Sequence, residues 1–95
     1  MDQSTPGRVV HYVLPAGSAR AGNHRSAVIT SDWGGMNPNL MVTLDQRDDL
    51  HGRDGGPMDL GNTNVQRAGD WHAKVWSATY DEAGAPGTWH WPERQ

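Results

Sequence analysis

Hydrophobic and polar positions alternate with a period of two along several stretches of this chain, and a period of two predicts β-strands. The first is Arg8 to Leu14 (RVVHYVL), where Val9, His11 and Val13 share one face and Val10, Tyr12 and Leu14 the other. The second is Arg25 to Trp33, with Ala27, Ile29 and Trp33 alternating with Val28, Thr30 and Asp32. Asn39 to Asp45 is the clearest: Leu40, Val42 and Leu44 point one way, and Met41, Thr43 and Asp45 the other. Trp71 to Tyr80 reads as a fourth strand and Thr88 to Trp91 as a short fifth, stopped by Pro92. Gly- and Pro-rich segments separate these runs, notably Pro15 to Asn23 and Ala83 to Gly87. No window carries a convincing helical period.

The stretch from Gln46 to Asp70 breaks the pattern. It is rich in Gly, Asp, Asn and Arg, and structureless loops longer than about 12–15 residues are uncommon in compact domains. Met58, Leu60 and Val65 are the residues expected to pin it down or to form a short edge strand. The expectation is therefore a mainly β fold: one domain over residues 1–95, a small five-stranded SH3-like barrel with a long loop, 46–70, before the fourth strand.

Composition narrows the function. A chain of 95 residues buries only about 60–65% of its unfolded surface, so the core is thin. Phe is absent, but there are five Trp, each able to bury far more area than a Val. A homo-oligomer, which would add burial, is expected. With no Cys there are no disulfides and no thiolate metal sites, which fits a reducing compartment. No apolar run resembles a signal peptide or a membrane span, so the expected place is the cytoplasm. The net charge of −3 lacks the basic stripe of a duplex nucleic-acid binder.

The closing residues Gly87-Thr88-Trp89-His90-Trp91-Pro92-Glu93 resemble the end of a set of small phage and prophage proteins. His11-Tyr12-Val13, the Arg25 to Ile29 strand, Asn39-Leu40 and Tyr80 are also similar, whereas residues 46–70 fall outside the likeness. The resemblance implies a phage origin and a small β-barrel, and no particular activity. Small phage accessory proteins include inhibitors of bacterial immunity, some sequestering nucleotide signals and others binding a defence protein.

Each chemical candidate has a bland alternative. Trp89 and Trp91 share a strand face with His90 opposite; core packing is the favoured reading, and an aromatic platform for a base, worth about 1–3 kcal/mol per stacked base, is the functional one. Five His invite a metal, and strand neighbours such as His11, His72 and His90 would have to converge. Exposed or hydrogen-bonded histidines are favoured instead, so no metal and no cofactor are expected. The acids Asp45, Asp48, Asp49, Asp54 and Asp59 fail the register of an EF-hand and read as a solvated loop. No Cys or Ser stands in a nucleophile pattern and no phosphate loop occurs.

The sequence thus points to a non-enzymatic phage binding protein that sequesters a nucleotide-derived immune signal. Trp33, Trp76, Trp89, Trp91 and Tyr80 would stack on the base, and Arg25 and Arg67 would hold phosphate. The alternatives are an inhibitor that binds a host defence protein, or a minor virion component. A small metal-assisted hydrolase is a third reading.

Overall fold

A computed structural model describes residues 7–31, 37–46, 49–52, 54–56, 58, 60–61 and 63–91. Among them every regular element is a strand: β1 (Val9–Val13), β2 (His24–Ser31), β3 (Asn39–Thr43), β4 (Val65–Arg67), β5 (His72–Val75), β6 (Thr79–Tyr80) and β7 (Thr88–His90). They form one sheet in the order β4-β5-β3-β2-β1-β7-β6, curled into a half-barrel. The fold is mainly β, as the alternation predicts, but the strand count is seven rather than five.

Both extra strands have a local cause. Val65–Arg67, inside the segment expected to be a loop, pairs antiparallel with β5 and becomes the edge of the sheet. The expected Trp71–Tyr80 strand is broken in two at Ser77, which adopts a left-handed φ of 46°. Asn39 holds that break: its side-chain oxygen accepts a hydrogen bond from the Ser77 amide at 2.9 Å, and the Ala78 amide donates to the Pro38 carbonyl at 2.8 Å. After the break, Thr79–Tyr80 leaves β5 and pairs parallel with β7.

Register sorts the side chains into two faces. Val10, Tyr12, Ala27, Ile29, Leu40, Val42, Val65, Ala73, Val75 and Trp89 fill the inner, concave face and make one contiguous core. With no helix among the described residues to cover this face, the sheet closes over its own core. The segment after β3 completes the cover: Leu44 and Leu50 are buried in the core, and Met58 and Leu60 pack against it. The 46–70 segment is therefore anchored by the apolar residues its sequence singles out, together with Leu50.

A buried carboxylate organises the loops at one end. Asp49 is fully buried and accepts hydrogen bonds from the Arg25 guanidinium at 2.8 and 3.0 Å and from the backbone amides of Asp45 and Gln46 at 2.8 and 3.2 Å. Arg20 adds a 3.5 Å ion pair. The Ser18 hydroxyl donates to the Asp49 carbonyl, and the Ala19 amide to the His51 carbonyl at 2.9 Å. The Pro15–Asn23 loop, the start of β2 and the turn after β3 are thereby tied to one residue.

Candidate functional site

Of the described residues that the sequence puts forward for ligand binding, Tyr80, Trp89 and Trp91 meet in and against the core, while Arg25, Arg67 and Trp76 have other neighbours. Trp89 is wholly buried in the core, edge-to-face against Tyr80 at 4.9 Å and Trp91 at 5.1 Å. Trp91 is partly buried against the same core, with the Arg8 guanidinium 4.9 Å above its ring. Trp89 therefore presents no ring at the surface, because a thin core takes the largest rings inward, and Trp91 is half-buried beside it. Arg25 is committed to Asp49, and its guanidinium is pushed further towards the charged form by that hydrogen bond, against the opposing effect of burial. Arg67, on the edge strand, donates to the carbonyls of Gly69 and Asp70 at 3.0 and 3.4 Å. Trp33 lies outside the described residues.

Among the described residues, Trp76 is the predicted aromatic that lies most at the surface. It is 44% exposed, as is Trp71 at the other end of β5, and the Lys74 ammonium stands 4.2 Å from its ring centroid. Trp71 and Trp76 flank a four-residue strand, so they stand roughly 16 Å apart at about 3.3 Å per residue. They cannot sandwich one base. Between β5 and β1 the outer, convex face carries a row set by register: Gln66, Lys74, Met41, Val28 and Val9 lie side by side across β4, β5, β3, β2 and β1. Val9 is 53% and Val28 39% exposed, so the row is apolar at one end and cationic at the other.

A second cluster occupies the same outer face, further along the strands. His11 on β1 stands directly opposite His90 on β7. His24 on β2 pairs with Val13 and is the diagonal neighbour of His11, whose own β2 partner is Ser26. Ring centroids lie 5.5 Å apart for His11 and His90, 4.8 Å for His24 and His90, and 6.1 Å for His11 and His24. His72 is not part of it: it pairs with Thr43 on β3, three strand spacings or about 14 Å from β1. Sequence alternation places His11 and His90 on strands but cannot say that β7 pairs with β1. The partner it missed, His24, follows a Gly-rich loop and gives no signal until β1 and β2 are in register.

The connection from β6 to β7 roofs this cluster. Parallel neighbours need a crossover, and here only residues 81–87 supply it. The crossover bends back past the end of β1, where the Gly87 amide donates to the Val13 carbonyl at 2.9 Å. Gly84 has a φ of +79°, and a Cβ there would stand 3.8 Å from His24 Nε2. Asp81 accepts hydrogen bonds from the amides of Ala83 and Ala85 at 2.9 and 3.4 Å, so its carboxylate shapes this turn. Beside His24 runs an open cleft of about 270 Å³ lined by His24, Arg25, Ser26, Thr43, Leu44 and Asp45, just below the roughly 300–1,000 Å³ of small-molecule sites.

No family model, curated protein or solved structure matches the chain.

Proposed function

We propose that this chain is a non-enzymatic binding protein that works through the outer face of its sheet, and that its partner is a host protein. The observation that carries this reading is the outer row in which the exposed Val9 and Val28 and the half-buried Met41 and Lys74 lie side by side, with the exposed Trp76 at its cationic end. A contiguous apolar strip ending in an exposed Trp suits a partner surface, since Trp is enriched at binding hot spots. The complementary partner presents an apolar patch with a carboxylate opposite Lys74. A phage accessory protein of this kind would act as a blocking inhibitor of a defence factor.

Sequestration of a nucleotide-derived signal is the second reading. It is supported by the Lys74–Trp76 pair, a cation beside an aromatic face. It is weakened by the engagement of Arg25 with Asp49 and by the burial of Trp89. A self-associated assembly would have to supply the missing concave wall. We also read the curled sheet as related to small SH3-like barrels.

The experiment is reconstitution of a complex between the purified chain and an identified host partner. Val28→Glu and Trp76→Ala should each weaken it at least tenfold, while Gln66→Ala, at the polar end of the row, should change it little. Equal binding by all variants would sink this face. A thermal shift with a panel of cyclic and linear oligonucleotide signals and ADP-ribose derivatives forms the second arm. A shift of several degrees with one of them would replace the protein partner by that ligand.

A further inference from the structure

We propose that His11, His24 and His90 form a binding site for a divalent transition-metal ion of the zinc class. One ring nitrogen from each of the three lies within 4.8 Å of the other two. Metal–nitrogen bonds of about 2.0–2.1 Å in a tetrahedral set place ligand nitrogens roughly 3.3 Å apart. The rings therefore need to close by about 1.5 Å at most relative to that geometry. His24 is exposed and has room to turn its ring, while His11 and His90 are held opposite each other on paired strands.

A second observation points to a ligand. His11 Nδ1 is buried and has no hydrogen-bond partner among the described residues. A buried imidazole nitrogen without a partner is costly, and a metal ion would satisfy it. The ring planes are inclined to one another, with interplanar angles of 67°, 85° and 68°, so the three rings do not stack flat.

The donor set fixes the class of ion. Three imidazoles, with no carboxylate in the cluster among the described residues, suit zinc, copper, nickel or cobalt, and not calcium or magnesium, which demand oxygen ligands. Three protein ligands leave one position for water or an exogenous donor. The ion would staple β2, β1 and β7, three consecutive strands of the sheet. This site adjoins the Val9 end of the Val9–Trp76 row along β1 but shares no residue with it, so it stands or falls independently of the protein-partner reading.

The test uses the full chain without a histidine tag, stripped with a chelator, and titrated with zinc against a chromophoric competitor. One equivalent should bind. At free zinc 100 times the dissociation constant the thermal midpoint should rise by roughly 10–20 °C. Cobalt in place of zinc should give the intense visible absorption of a four-coordinate site. His24→Ala, at an exposed position, should weaken binding at least tenfold, whereas His72→Ala and His51→Ala should leave it unchanged. Zinc that fails to bind overturns the proposal, and so does binding that survives His24→Ala or is lost with His72→Ala or His51→Ala.

Discussion

Tyr12 illustrates how one residue can carry a cost that the alternation of the chain does not reveal. Its ring is 1% exposed in the core, and its hydroxyl has no hydrogen-bond partner among the described residues. Burial pushes its pKa up to about 12. Tyr12→Phe removes the stranded hydroxyl and keeps the ring, so it should raise stability by about 1 kcal/mol in denaturant unfolding. The pH dependence has a definite sign. The unfolded phenol ionises near 10, and the folded one only near 12, so the native state binds more protons in between. Native stability should fall as pH rises through that window, and the fall attributable to this residue should vanish in Tyr12→Phe. Ser77 is the second such residue. Its φ of 46° suits Gly and penalises a β-branched side chain. Ser77→Val should cost about 1–2 kcal/mol, and Ser77→Gly should be near neutral, as read from unfolding midpoints.

Elements are held together here by polar contacts as much as by strand pairing. Asp49 joins the turn after β3 to β2 and to the Pro15–Asn23 loop. Burial works to raise its pKa, but the Arg25 hydrogen bonds and the amides of Gln46 and Asp45 outweigh it and hold the carboxyl below its ordinary value. A depressed carboxyl contributes stability above the unfolded pKa, near 3.9, and loses it as pH falls through the folded value. Acid unfolding should therefore set in below about pH 4. Asp49→Asn should cost about 3 kcal/mol at neutral pH, because Arg25 loses its counter-charge in a largely buried setting, and should flatten the acid limb of the stability profile. An Asp49→Asn variant as stable as the parent at neutral pH would show that the knot is incidental. None of this is legible in the sequence, where Asp49 reads as one of several acids in a solvated loop. What distinguishes it is a contact with a residue 24 positions earlier.

At the scale of the molecule, the outer face carries two features at different places: the Val9–Trp76 row and the three histidines. Variants on one should leave the other intact. Trp76→Ala should disturb partner binding without altering zinc affinity, and His24→Ala should do the reverse; calorimetry on both variants checks this. No helix among the described residues is long and apolar enough to cross a membrane. The strand faces were readable because alternation follows from backbone geometry alone: Val10, Tyr12, Leu40 and Val42 are inward, and Val28 and Lys74 outward, as their parity requires. The same parity put Trp89 and His90 on opposite faces, and a thin core made the inward choice for the indole. Parity is silent on which strands are neighbours. The pairing of β1 with β7, the departure of Thr79–Tyr80 from β5, the engagement of Arg25 by Asp49 and the meeting of His11, His24 and His90 all depend on contacts between residues far apart in the chain. Those contacts exist only once the sheet order is set, and sheet order is decided by how the whole chain covers one small core.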